Sequence, residues 1–157
     1  MNKQAFQDGY PEELSHCYGC GTNNDDGHQL KSYWLDEQSG ETIARFTPKA
    51  CHTAIPGFVY GGLIASLIDC HGTGSASAAA YRAEGREIGS EPALRFVTGA
   101  LNVSFLAPTP LGVELMLHGK IAEIKERKVV VEITLTANDV VCAKGTVIAV
   151  KMPSTMG

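Results

Sequence analysis

Two periodicities divide the chain. From Leu101 onward, apolar and polar residues alternate: Leu101, Val103 and Phe105 against Asn102 and Ser104, then Val129, Val131, Ile133 and Leu135 against Glu132 and Thr134. A period of two predicts strands with one buried face. Between Ile55 and Tyr81 the period changes. Pro56-Gly57 supplies a turn, Leu63, Ile64, Leu67 and Ile68 then recur at helical spacing, and no proline interrupts the run. In chain order the pattern predicts a polar arm over 1–16, as a short helix or a loosely held segment, and strands over 29–36 and 41–47. A loop over 48–57, the helix and a charged, exposed connection over 82–92 come next. Strands over 93–106, 113–124, 129–137 and 140–150 complete the chain. Short turns make consecutive strands antiparallel neighbours. The expected fold class is α+β: one domain over 1–157, with a curved antiparallel sheet around one long central helix.

One carboxylate, Asp69, stands inside the helical run. Asp is a poor mid-helix residue and is rarely buried without a partner. At about 100° per residue it shares a face with Gly62, Ala65, Ser66, Gly72, Thr73 and Ala76. Such a face admits another backbone or a ligand. Ser66 and Thr73, at i−3 and i+4, are placed to hydrogen-bond the carboxylate and orient it. His71 lies about 200° round the helix from Asp69, so the two do not form a dyad. It reads as a buried, hydrogen-bonded histidine, and Cys70 as a small core residue.

Composition narrows the function. The formal net charge is −4 and no basic cluster occurs, which excludes a nucleic-acid-binding surface. The first residues lack the apolar core of a secretory signal. The helical run is too interrupted by Gly, Ser, Asp and His for a membrane span. Five cysteines in such a chain imply reduced thiols and a cytoplasmic location. Cys17 and Cys20 have a zinc-like spacing, but no second pair follows, so the pair reads as a glycine-rich turn with no metal.

Three segments carry a resemblance. Tyr60-Gly61-Gly62, six further residues and Asp69 follow the lead-in Pro56-Gly57-Phe58-Val59. The run Asn102-Val103-Ser104-Phe105-Leu106-Ala107-Pro108-Thr109-Pro110-Leu111-Gly112 forms a strand with a proline exit. Cys17-Tyr18-Gly19-Cys20-Gly21 forms an N-terminal turn. Together they resemble the hotdog-fold acyl-CoA thioesterases of the phenylacetate-pathway type. One departure is that Tyr60 stands where that family has a histidine. A second is that Ala54 stands where some members have a polar residue, with His52 nearby as a substitute.

The resemblance implies hydrolysis of an acyl- or aryl-CoA thioester, with coenzyme A as part of the substrate and no separate cofactor. It implies a homodimer or homotetramer whose site is completed at a subunit interface. A helix N-terminus has free N–H groups and favours negative charge. The resemblance makes the N–H of Gly61, with Gly62 beside it, the oxyanion donors. Asp69, desolvated, serves as general base or as nucleophile. The resemblance further implies a hydroxyl near the start of the central strand to position water, which falls on Thr98. Asn102, at the same alternation, is the weaker candidate. Tyr60 is either a core aromatic or a contact to the acyl group, and Arg127 and Lys128 are either a solvated turn or a contact to CoA phosphates. Two alternatives remain: a non-catalytic acyl-CoA-binding protein, and a dehydratase or hydratase acting on acyl thioesters.

Overall fold

The alternating segments form six strands: β1 (Ser32–Asp36), β2 (Glu41–Phe46), β3 (Phe96–Phe105), β4 (Leu115–Ile124), β5 (Lys128–Ala137) and β6 (Val140–Lys151). The helical run forms α1 (Gly61–Ala83). The computed structural model describes residues 4–156, so residues 1–3 of the expected N-terminal arm lie outside the described residues. All strands join one antiparallel sheet in the order β1-β2-β4-β5-β6-β3. Strands β4, β5 and β6 form a meander. Asn138 and Asp139, at φ 51° and 64°, make its second turn, as a two-residue hairpin requires. The connection after β3 carries Pro108 and Pro110, which cannot extend a hydrogen-bonded ladder. It leads the chain away to β4, so β3 is left at a sheet edge with β6 as its one neighbour.

The sheet curves around α1. Leu63, Leu67 and Ile68 of the helix pack with Leu115, Leu117, Val131, Leu135 and Val147 in a core closed to solvent. Each such side chain contributes about 1.5–3 kcal/mol by its burial. Every residue from His71 to Ala79 is buried, consistent with a helix that is apolar or small nearly all round. A Cβ at Gly72 would lie 2.4 Å from Val147 Cγ2, so its absence lets the helix rest directly on β6.

Three expectations change. The described part of the N-terminal arm is not loosely held. It forms 3-10 turns at Phe6–Gly9 and Glu12–Leu14. Phe6 packs edge-on against Trp34 at 5.4 Å, and buried Gln7 bonds Ser32 through both ends of its amide. The first strand begins at Ser32 rather than 29, because Gln29 adopts φ 53°, which breaks an extended run.

The third change bears on the site. Thr98 pairs with Ala149 and Ala100 with Ile148, so Gly99 is an extra residue, a β-bulge. Directly paired residues share a face. Thr98, Leu101 and Phe105 pair with the buried Ala149, Val147 and Ala143 on the helix side, while Asn102 pairs with Thr146 on the outer side. Asn102 therefore does not share a face with Thr98, because the bulge shifts the alternation by one.

Candidate active site

Helix α1 starts uncapped. No side chain bonds its first turn, and Tyr60 is extended at φ −74°, ψ 148°. The Leu63 N–H bonds the Tyr60 carbonyl at 3.2 Å. Those of Gly61 and Gly62 have no partner among the described residues, which makes this end a ready acceptor for negative charge. The loop before it is fixed by Val59 N–H to Thr109 O at 2.8 Å and Tyr60 N–H to His52 O at 3.0 Å. Gly61 opens onto a groove of about 460 Å³, lined also by Ile64, Phe105, Leu106, Pro108 and Thr109. Thr109 is 3% exposed, and its hydroxyl has no hydrogen-bond partner among the described residues. No periodicity marks this hydroxyl, since Thr109 sits between two prolines in an apparent exit loop.

Tyr60 is not a core aromatic: it is 39% exposed. Its ring folds back over Gly62, where a Cβ would meet Tyr60 Cε2 at 2.4 Å. The second glycine makes room for this ring beside the free N–H groups.

Asp69 is half-buried. Its Oδ1 accepts a hydrogen bond from Thr98 Oγ1 across the helix–β3 contact. Partial burial raises its pKa, and the Thr98 bond works the other way. The bulge at Gly99 is what turns Thr98 toward the acid. Ser66 and Thr73 do not orient the carboxylate. Thr73 bonds back to the carbonyls of Asp69 and Cys70 at 3.3 and 3.4 Å, the usual local habit of a helical threonine. Ser66 instead faces the backbone of Gly19, where a Cβ would lie 3.3 Å from its Oγ. The small-residue face is thus partly filled by the Cys17–Cys20 turn.

His71 faces the opposite wall. It is fully buried, with Nδ1 2.9 Å from Ser32 Oγ and Nε2 3.0 Å from Thr42 Oγ1. Desolvation, then the charge of His118, lowers its pKa to about 3, so it is neutral. His52 accepts the Lys49 N–H on Nδ1 at 2.9 Å, and its ring packs with His28 and Phe46. Its backbone carbonyl rather than its ring touches the helix start. Arg127, exposed, and Lys128, half-buried, flank the β4–β5 turn. Lys128 pairs with Val150 and Val150 with Val97, which puts this turn about 10 Å from β3 at its Thr98 end.

Asp69 and the free N–H of Gly61 are about 12 Å apart along one helix. They cannot both reach one carbonyl within a single chain.

The thioesterase superfamily model matches residues 56–144, from the lead-in of α1 into β6. The chain belongs to the thioesterase superfamily. A thioesterase superfamily protein from Shewanella loihica PV-4, solved by crystallography, is 57% identical, covering 92% of this chain and 100% of its own, with a TM-score of 0.69. Two more distant structures share the hotdog fold. The E. coli PaaI protein from the phenylacetic acid degradation operon is 16% identical, covering 73% of this chain and 75% of its own, with a TM-score of 0.60. A Streptococcus mutans protein bound to acetyl CoA is 22% identical, covering 73% and 82%, with a TM-score of 0.59. No curated protein matches the chain significantly. The span matched to the thioesterase superfamily contains Gly61, Gly62, Asp69 and Thr98 but not Cys17 or Cys20. Among the described residues of this superfamily member, no helix is long and apolar enough to cross a membrane.

Proposed function

We propose that this chain is an acyl-CoA thioesterase whose site forms between two subunits. The observation that carries this reading is the arrangement along β3. Thr98, on Asp69, lies at one end of the open strand, and Phe105, against Gly61, lies at the other. An antiparallel pairing of two such edges about a two-fold axis at Asn102 sets Leu101 opposite Val103 and Ala100 opposite Ser104. The Gly99 bulge then brings Thr98 opposite Phe105 of the partner subunit. Asp69 of one subunit thereby approaches Gly61 of the other. Homodimers with such a two-fold axis are the commonest assemblies.

In that site the thioester carbonyl accepts hydrogen bonds from the free N–H groups of Gly61 and Gly62, which stabilise its developing negative charge. Thr98 holds Asp69. The carboxylate either takes a proton from attacking water or attacks the carbonyl itself to give an anhydride that water opens. Either route yields a carboxylic acid and the free CoA thiol. The apolar groove beside Gly61 takes the acyl chain, and Arg127 and Lys128 at the Thr98 end meet CoA phosphates. The acetyl CoA bound to the Streptococcus mutans relative supports this ligand class.

A second reading, acyl-CoA binding without turnover, is favoured by one observation: the Tyr60 ring lies against Gly62 in the first turn of the helix. A hydratase reading has less support, because both nitrogens of His71 are engaged on the far side of the helix.

Thiol release from short, medium, long and aromatic acyl-CoAs tests the proposal. The interface is tested by mixing two inactive variants, Asp69→Asn and Gly61→Pro. Proline at the first helical position keeps the helix and removes the N–H donor. Random exchange should restore about a quarter of wild-type turnover, because mixed dimers carry one intact site each. No recovery in exchanged dimers would sink the shared site. Binding of acyl-CoA without thiol release would favour the second reading.

A further inference from the structure

The Cys17–Cys20 turn lacks a second cysteine pair in sequence, but the fold supplies a third thiol. Cys70 of α1 comes within 3.8 Å of Cys17, sulfur to sulfur. The sulfurs of Cys17, Cys20 and Cys70 all lie within 4.8 Å of one another. All three are free, and two are buried while Cys17 is half-exposed. Tetrahedral coordination with metal–sulfur bonds of about 2.3 Å sets sulfurs about 3.8 Å apart. The cluster is therefore already near the spacing a metal would impose, with Cys17 as its entry.

The surroundings fit charged sulfur. Cys17 Sγ and Cys70 Sγ lie within hydrogen-bond reach of each other at 3.8 Å. Gly19 is needed for this approach: a Cβ there would lie 2.3 Å from Cys70 Sγ. The Tyr10 hydroxyl is buried with no hydrogen-bond partner among the described residues, and it is near enough to feel all three thiols. Arg95 stacks on the Tyr10 ring at 4.3 Å and sets a positive charge near Cys20. Three thiolates around a divalent ion leave one negative charge, which Arg95 offsets.

We propose that Cys17, Cys20 and Cys70 form a binding site for a thiophilic d10 cation, Zn²⁺ or Cu⁺, that ties the N-terminal turn to the central helix. Thiolate ligands suit both ions. For Zn²⁺ the fourth position is left to water.

The test uses the full chain, reduced and stripped of metal, under anaerobic conditions. It is titrated with Zn²⁺ against a chromophoric chelator and, separately, with Cu⁺ against a Cu⁺-specific chelator. One equivalent per chain should be retained in at least one arm, and the arm that retains it identifies the ion. Cys70→Ser and Cys17→Ser should each weaken retention by about 100-fold, while Cys51→Ser and Cys142→Ser leave it unchanged. Retention of neither ion by the wild-type chain, or full retention in Cys70→Ser, overturns the site. If the variants do not fold, alkylation of the wild-type chain decides: the bound ion should shield Cys17, Cys20 and Cys70 from modification. Shielding of any other set overturns the site.

Discussion

Asp69 and His71 stand two residues apart on one helix, yet their surroundings are opposites. Asp69 looks toward the open edge of the sheet. It is half-buried, has Thr98 as its partner, and holds its proton more firmly than an ordinary carboxylate. His71 looks toward β1 and β2, is closed to solvent, and has each ring nitrogen bonded to a hydroxyl. Those hydroxyls are committed in turn: Ser32 to Gln7 and Thr42 to Ser75. A polar group whose bonds are all met inside the protein stabilises the fold. One left with spare capacity beside an opening is available for chemistry. On the proposed reading, the two sides of α1 divide structure from function within a single turn.

Mutations on the two sides should separate accordingly. Asp69→Asn should lower acyl-CoA turnover by about 10²–10⁴-fold with an unchanged melting profile. Comparable turnover in the variant would remove Asp69 from the chemistry. His71→Ala should do the reverse. It leaves a cavity and removes one hydrogen bond each from Ser32 and Thr42, costing about 3 kcal/mol in urea denaturation. Turnover per folded molecule should stay within about threefold of wild type. A large rate loss without destabilisation would break the division.

The pH response sharpens the same contrast. His71 titrates at about 3 when folded and near 6.5 when unfolded. Between those values the unfolded chain binds the extra proton. The stability that neutral His71 contributes is therefore complete above about pH 6.5 and declines as the pH falls toward 3. The slope should reach about 1.4 kcal/mol per pH unit, and His71→Gln should flatten it in denaturation curves across that window. The smallest effect belongs to Thr98→Val. Loss of the bond that favours the Asp69 carboxylate should lower kcat/KM by about tenfold and move its acidic limb to higher pH. A limb that stays in place would mean that Thr98 does not hold the acid.

Residue patterns close in sequence were legible before the fold was known. Leu63, Ile64, Leu67 and Ile68 mark α1 by their spacing alone, and Asp69 is conspicuous as a carboxylate among them. Features that depend on distant partners were not. Counting by twos along β3 groups Thr98 with Asn102, but Gly99 adds one residue that no periodicity announces. The hydroxyl of Thr73 turns to the backbone carbonyl of Asp69 rather than to its carboxylate. Gln7, polar and near the chain start, is buried because Ser32 meets it. The third thiol near Cys17 and Cys20 comes from Cys70, far along the chain, so a search for a second local pair misses it.

The open edge of β3 has a further consequence, for how the isolated chain behaves in solution. Leu101, Phe105 and Leu106 are 39%, 57% and 56% exposed along it, beside a row of unpaired backbone groups. A long apolar edge of this kind is adhesive to any extended chain it meets. A chain with this edge uncovered is thus exposed to aggregation. Solubility of this protein should depend on its own concentration and on charged residues introduced at Leu101 as much as on the strength of its core.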